Sequence, residues 1–191
     1  KNCVEFALDY PVDGINFVHQ KDRTILDLFA GSASLAGAIG KQVNFVSNDI
    51  QEYSKVLSQT YLVNLRDADI PDIDHIHQQV LDLVAANVQK EYLVDYNKLN
   101  DIEDFNCLEE NQKDLINKDF SYDYHLFAKN YSGTWWSYEQ CLWIDALREV
   151  ADEYKDKPIY PIFLSSLMYS MAYCSQGTGH YAQYRDAKTN S

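Results

Sequence analysis

A glycine-containing turn between two acidic residues has the clearest chemical pattern in this sequence. The run from Asp27 to Ser34 is DLFAGSAS, and Asp49 follows Asp27 by twenty-two residues. Glycine in such a turn lets a ligand approach the backbone closely, and N–H groups at the start of the next helix point toward it. A carboxylate at the end of the following strand is placed to accept hydrogen bonds from ribose hydroxyls. The pattern therefore predicts a nucleoside-binding turn, with an ordinary strand-to-helix turn as the alternative.

The spacing of the glycines narrows the type of nucleoside. A dinucleotide site has the pattern G-x-G-x-x-G, but Gly31 is followed by Ser32 and Ala33. A phosphate loop ends in G-K-S or G-K-T, whereas the Gly-Lys pair at residues 40–41 is followed by glutamine. Without a pyrophosphate fewer glycines are needed, and Asp27 is placed to meet a cationic amino group. These features suit S-adenosylmethionine, which has a charged methionine end and a ribose.

The elements predicted around this turn form half of a doubly wound α/β sheet. Short apolar runs predict buried strands over residues 23–29 and 43–47, and the small residues between them predict a helix closed by Gly40 as its C′ residue. Asn48 and Asp49 can cap the next helix, in which apolar residues recur at helical spacing: Ile50, Tyr53, Leu57, Tyr61 and Leu65. We therefore expect residues 1–66 to be a cofactor-binding α/β half.

The remaining residues, 67–191, are predicted to be mostly helical, with a possible role in target recognition. Pro71 can open a helix that runs to about Lys90, and the polar segment 101–123 is compatible with helix. Ser137 and Gln140 fit a capping box at the start of a further helix. Residues 162–174 are apolar on nearly all sides, which predicts a buried helix.

Charge and composition exclude several classes of protein. The 191 residues include 16 basic and 29 acidic residues, which give a net charge of −13. Residues 91–125 alone hold ten acids against three lysines, which we interpret as a solvated face or a loose insertion. This balance argues against a simple DNA-binding module. No apolar run is long enough to span a membrane, the four scattered cysteines are typical of a cytoplasmic chain, and no metal site is predicted.

Four sequence blocks together resemble the adenine-specific, Dam-like DNA methyltransferases. Residues Asp27–Ser34 resemble the cofactor motif of that family, D-x-F-x-G-x-G-S, and Ser47–Ile50 resembles its second-strand acid. Residues 132–145 and Thr178–Gln183 are similar to later stretches of the same family, in the same order. One departure is Ala33, where the family usually has glycine. Alanine there implies that position 33 does not need a positive φ.

The resemblance implies a partial Rossmann-like sheet of the S-adenosylmethionine-dependent methyltransferases, with a large helical middle region. It implies S-adenosylmethionine as the cofactor, bound by Asp27, Phe29, Ala30, Gly31, Ser32, Ala33, Ser34, Asp49 and Ile50. Contact with DNA is expected from polar residues near the end of the sequence: Thr178, His180, Gln183 and Arg185. The alternative for this second group is a hydrogen-bonded loop that joins two helices.

The catalytic tetrad of the family, D-P-P-Y or a variant with Asn or Ser first, does not occur in the 191 residues. In the family, the tetrad accepts hydrogen bonds from the amino group of the target adenine and stacks on the flipped base. We therefore expect no catalytic residue here, and interpret the chain as the cofactor-binding and middle portion of an adenine methyltransferase, from a restriction–modification system or a phage. The catalytic part would be truncated, lost or encoded as a second polypeptide.

Two other functions stay open from the sequence. The first is a degenerate, non-catalytic methyltransferase-fold module that serves assembly or DNA recognition. The second is a methyltransferase that acts on RNA or on a small molecule. DNA is the expected partner of the complete enzyme, and no membrane is expected.

Overall fold

The computed structural model describes residues 3–99 and 101–177, which form two compact units. Unit 1 comprises the residues up to 70 together with 157–165. Unit 2 comprises residues 71–156 together with those from 166 onward. The roles and boundaries predicted for residues 1–66 and 67–191 stay predictions.

Unit 1 has the strand–helix–strand–helix order that the sequence predicts. Its helices and strands are α1 (Cys3–Val18), β1 (Thr24–Asp27), α2 (Ser34–Ile39), β2 (Asn44–Ser47), α3 (Glu52–Leu62) and the start of α8 (Tyr160–Cys174), with a 3-10 turn at Asp67–Asp69. The two strands pair in parallel, with Thr24 opposite Asn44 and Asp27 opposite Ser47. Because both strands run the same way, their carboxyl ends lie at one edge of the sheet.

Each strand has one exposed face, which the sequence does not predict. Leu26 is 55% exposed, and its register partner Val46 is 48% exposed. Ile25 and Phe45 point to the other face and are half-buried. Parallel strands are buried on both faces only when other elements cover both. The expectation of fully buried strands is therefore wrong for the described part of the chain.

Helix α3 packs against the rest of unit 1 through small polar residues, and not through the apolar residues predicted to form its buried face. Its buried residues are Ser54 and Ser58, whereas Tyr53 and Tyr61 are exposed. The hydroxyl of Thr60 donates to the carbonyl of Pro161 at 2.8 Å, which ties α3 to the start of α8. Small side chains let α3 approach its neighbours closely, so large apolar residues lie at its margins.

Gly40 follows α2 as predicted, but for a different reason. Its φ is −61°, in the right-handed region, so it does not act as a left-handed C′ residue. A Cβ at this position would lie 2.5 Å from the carbonyl oxygen of Ala36 and 2.4 Å from a methyl carbon of Leu62. The position therefore needs glycine because a Cβ would collide with the Ala36 carbonyl of α2 itself and with the Leu62 side chain of α3.

The Gly40→Ala variant is expected to lower the free energy of unfolding by about 1–3 kcal/mol, because the methyl group has no space. Gly14→Ala in α1 is the matched control, since nothing lies within 4 Å of its Cβ position. In the helix interior, that control is expected to be stabilising by about 0.5–1 kcal/mol. Urea denaturation of the three proteins measures both effects. A Gly40→Ala variant as stable as the unaltered protein would contradict the close approach.

The regular elements in the described part of unit 2 are helices, joined by loops. Its helices are α4 (Ile73–Asn87), α5 (Ile102–Lys113), α6 (Leu126–Tyr131), α7 (Tyr138–Asp152) and the rest of α8, with 3-10 turns at Lys90–Tyr92, Tyr96–Lys98 and Asp114–Asn117. The predicted capping box at the start of α7 is confirmed: the Ser137 side chain accepts from the Gln140 N–H, and the Gln140 side chain accepts from the Ser137 N–H. Asp72 caps α4, one residue after the predicted Pro71 start.

Helix α7 holds the core of unit 2 together through buried polar groups as well as apolar ones. The Tyr138 hydroxyl accepts from the N–H of Gln89 at 2.9 Å, and the Tyr138 N–H donates to Oε1 of Gln112 at 3.1 Å. The buried core around it consists of seven residues: Leu115, Ala128, Trp136, Tyr138, Cys141, Leu142 and Ile144. These bonds fix the segment after α4 and the last turn of α5 against the same helix.

Asp145 of α7 caps the start of α6 from a neighbouring helix. Its two carboxylate oxygens accept from the N–H groups of Phe127 at 3.0 Å and Ala128 at 2.8 Å. The side chain is buried. Burial raises the pKa of Asp145 to about 6, although the two N–H groups pull it the other way. The carboxylate thus provides hydrogen-bond acceptors for N–H groups at the start of α6, and its removal from water costs free energy.

The stability of the protein relative to its Asp145→Asn variant is expected to fall as the pH rises from about 4 to about 6. The folded state raises the pKa of Asp145, so it binds more protons than the unfolded state in this window, and the stabilisation by the proton is lost above it. The size is about 2–3 kcal/mol. Thermal melts of both proteins between pH 4 and pH 7 measure it. A difference in melting temperature that stays constant with pH would contradict the raised pKa.

Helix α8 is much more exposed than its apolar sequence predicts. Leu167 is its one buried residue among those described, while Tyr169 is 64% and Tyr173 is 76% exposed. The expectation of a buried helix is therefore wrong for the described part of the chain. No helix among the described residues is both long enough and apolar enough to cross a membrane.

Candidate functional site

The turn between β1 and α2 contains two residues in the left-handed region. Gly31 has a φ of +52° and Ala33 a φ of +59°. The expectation that position 33 does not need a positive φ is therefore wrong. An alanine in this region costs about 1–2 kcal/mol. Ala33 is held there because it is fully buried and its carbonyl accepts from the Gly37 N–H at 3.0 Å, in the first turn of α2.

Asp49 ties this turn to the segment after β2. Its Oδ2 accepts from the N–H of Gly31 at 2.8 Å, and its Oδ1 accepts from the N–H of Gln51 at 3.0 Å. The Gly31 N–H, and then that of Gln51, lower the pKa of Asp49, so the group is a carboxylate at neutral pH. The expectation that Asn48 and Asp49 cap the next helix is wrong, since α3 begins at Glu52 with Gln51 as its N-cap.

Two residues that the sequence analysis missed complete this attachment. The hydroxyl of Ser54 donates to the carbonyl of Gly31 at 2.6 Å, and the amide of Asn48 donates to the carbonyl of Leu28 at 3.0 Å. Ser54 is almost fully buried. The available signal was the i, i+4 spacing of Ser54 and Ser58, which indicates a close-packed helix face. Both backbone polar groups of Gly31 are thus used within the protein.

The two predicted acids and the two predicted apolar residues lie at or just after the carboxyl ends of the two strands. Asp27 and Asp49 are half-buried. Phe29 is 88% exposed and Ile50 is 96% exposed. Asp27 accepts from the Phe29 N–H through Oδ1 at 3.3 Å. The arrangement leaves charged acceptors flanked by apolar surface, open to solvent.

The other predicted residues of the turn offer mainly backbone. Ala30 and Ala33 are buried, Gly31 and Ser34 are half-buried, and Ser32 is exposed. The hydroxyls of Ser32 and Ser34 share a hydrogen bond of 2.7 Å. Among the described residues, the N–H of Ser32 has no hydrogen-bond partner. That N–H is therefore a donor of the turn that stays available to a ligand.

A depression of about 310 Å³ adjoins the turn on the side of α3. Its lining includes Ala30, Ser47, Asn48, Asp49 and Ser54. The hydroxyl of Ser47 is buried and has no partner within the described ranges. Asp49 therefore faces open space as well as the backbone that holds it. The four predicted DNA-contacting residues, Thr178, His180, Gln183 and Arg185, lie outside the described residues.

A glycine turn after a parallel strand, with an acid at the end of the next strand, is an arrangement that many nucleoside-binding α/β proteins share. A model of the D12 class N6 adenine-specific DNA methyltransferases matches residues 15–191. The match covers most of the chain, and the chain belongs to this family. The family implies DNA as substrate, and its members generally use S-adenosylmethionine. Comparison with curated proteins and with solved structures gives no significant match.

The Ser54→Ala variant is expected to lower the free energy of unfolding by about 1–3 kcal/mol, because the half-buried carbonyl of Gly31 loses its donor. Ser58→Ala is the matched control. Ser58 is also buried, one helical turn later, and its hydroxyl has no partner among the described residues. Its removal is expected to change stability by less than about 0.5 kcal/mol. Equal losses in urea denaturation would show that the bond to Gly31 does not matter.

Proposed function

We propose that unit 1 binds S-adenosylmethionine at the turn after β1, as the cofactor-binding part of an adenine methyltransferase. The observation that most supports this is the 2.8 Å bond from the Gly31 N–H to Asp49. It brings the two parts of the sequence motif together at an exposed edge. The same bond keeps the Asp49 carboxylate charged and oriented.

Each residue of the site has a proposed part in holding the cofactor. The carboxylate of Asp49 accepts hydrogen bonds from ribose hydroxyls, because each of its oxygens has a further lone pair beyond the bond to the backbone. Asp27 Oδ2 takes the cationic amino group of the methionine end, and the N–H of Ser32 donates to its carboxylate. Ile50 and Phe29 cover apolar parts of the ligand, which explains their exposure in a free turn.

The Rossmann-like character of the sheet is part of the same proposal. The described strands give a parallel pair with the acid-bearing ends at one edge, which is the arrangement that such folds use for nucleosides. S-adenosylmethionine, when bound, supplies a methyl group on a positively charged sulfur. The residues of the proposed site hold the ligand but leave its methyl group exposed to solvent. They do not by themselves complete a site for adenine.

Transfer to the amino group of adenine is proposed for the methyltransferase of which these residues form a portion. No D-P-P-Y type tetrad occurs in the 191 residues, so the acceptors for the adenine amino group are proposed to come from residues outside them. We therefore expect the 191-residue chain to bind the cofactor without methylating adenine-containing duplex DNA.

Asp49→Ala is expected to weaken the binding of S-adenosylmethionine by about tenfold or more, because charged hydrogen bonds to the ribose are lost. Isothermal titration calorimetry of the folded protein measures this. Asp13→Asn is the control, since Asp13 is an exposed acid on α1 and its change removes the same charge. Absence of heat with the well-folded, unaltered chain, or equal losses in both variants, would refute the proposed site.

A further inference from the structure

The second half of α8 is a surface without charge on a strongly acidic unit. Residues 71–156 hold nineteen acidic and seven basic residues, a net charge of −12. Helices α4, α5 and α7 each contain more acids than bases, and the short α6 contains a single lysine. Helix α8 contains no charged residue at all. The charge of unit 2 is therefore distributed unevenly over its surface.

Contacts on the inner side of α8 determine which of its residues are exposed. The indole N–H of Trp136 donates to the carbonyl of Met171 at 3.1 Å, and the Gln140 amide donates to the carbonyl of Cys174 at 3.4 Å. Leu167 is buried on the same side. Beside this inner side lies an exposed stripe with i, i+3, i+4, i+7 spacing, which we name the hydroxyl face: Ser166, Tyr169, Ser170 and Tyr173.

All four side chains of the hydroxyl face end in hydroxyl groups. Tyr169 and Tyr173 are 64% and 76% exposed, and their ring centroids are 4.6 Å apart. Hydroxyls of serine and tyrosine donate to phosphate oxygens, and such contacts are a regular part of protein–DNA interfaces. The side chains of Tyr169 and Tyr173 are hydrogen-bonded to each other, which leaves one tyrosine hydroxyl and the two serine hydroxyls as neutral donors. None of the four side chains is negatively charged.

We propose that the hydroxyl face is the surface through which unit 2 approaches DNA. DNA has about one negative charge per 1.7 Å of its axis, so the acidic faces of α4, α5 and α7 repel it and the uncharged face does not. The family implies a DNA substrate, and this inference rests on the proposed role of the chain in such a methyltransferase. In the sequence, α8 is followed by the proposed DNA contacts and by the cations Arg185 and Lys188.

A second protein chain is the alternative to DNA as the molecule that binds at α8. A groove of about 330 Å³ lies between α7 and α8, and its mainly apolar lining includes Trp143, Leu147 and Leu167. Glu139 also lines this groove, together with Ser170 and Cys174. The groove holds few donors for phosphate, whereas the hydroxyl face consists of them. We therefore assign DNA binding to the hydroxyl face, and an association between protein chains becomes an outcome of the test.

The test adds one negative charge at two matched positions. Ser166→Glu places it on the hydroxyl face, and Asn111→Glu places it at an exposed position of α5. Both variants have the same net charge, so long-range repulsion is equal. Binding of a fluorescein-labelled DNA duplex of about 30 base pairs is measured by anisotropy at low salt, with S-adenosylmethionine present. Ser166→Glu is expected to weaken binding about fivefold or more, and Asn111→Glu by less than about twofold.

A second variant keeps the helix and its charge unchanged. Tyr169→Phe combined with Tyr173→Phe removes two hydroxyls and leaves both rings, and it is expected to weaken DNA binding about twofold to tenfold. Equal effects of the two glutamate variants, or no measurable DNA binding by the unaltered chain, would overturn the proposal. So would a dimer in size-exclusion chromatography that Ser166→Glu abolishes, since the face would then join two copies.

This design distinguishes a failure of the proposed cofactor site from a failure of the proposed DNA-binding face. Calorimetry with S-adenosylmethionine is repeated on each glutamate variant. Loss of cofactor binding in the unaltered chain refutes the proposed function of unit 1, whatever the anisotropy shows. Retained cofactor binding with indistinguishable glutamate variants refutes the hydroxyl face alone.

Discussion

The hydrogen bond from the Gly31 N–H to the Asp49 carboxylate is the interaction on which the candidate site depends. Gly31 and Asp49 lie on different strand-to-helix connections, so this bond holds two loops in one arrangement. Ser54 holds the other backbone polar group of Gly31. The turn is thus fixed before any ligand arrives, and a fixed turn avoids the entropy cost of ordering during binding.

The same hydrogen bonds change which backbone N–H groups of the turn are available to a ligand. The usual interpretation of a glycine turn is that its N–H groups face the ligand. Here the N–H of Ala30 donates to the carbonyl of Asn48 and that of Gly31 donates to Asp49. Two N–H groups of the turn are therefore used within the protein, one of them to hold the acid, and the acid becomes the principal group offered to a ligand.

Local features of this fold could be predicted from the sequence, and burial could not. The strands, α2 and the Ser137 capping box follow from apolar runs and short-range side-chain chemistry, which neighbouring residues determine. The exposure of Leu26, Val46 and Tyr173 depends on which other elements cover them, and no local pattern contains that information. The backbone of Ala33 could not be predicted either, because packing in the first turn of α2 forces this alanine into the left-handed region, which alanine disfavours. The spacing of Ser54 and Ser58 indicates a close-packed helix face, but it does not indicate that the Ser54 hydroxyl donates to the Gly31 carbonyl.

The exposed Leu26–Val46 face has a consequence for how the separate chain behaves in solution. Short strands with open backbone groups and apolar side chains are templates for pairing with strands of other molecules. The net charge of −13 opposes this, since copies of the chain repel each other at neutral pH. Salt screens that repulsion and acid removes it. Colloidal stability of the isolated chain therefore depends on keeping its carboxylates ionised, and precipitation near its isoelectric point is the natural result of an uncovered sheet.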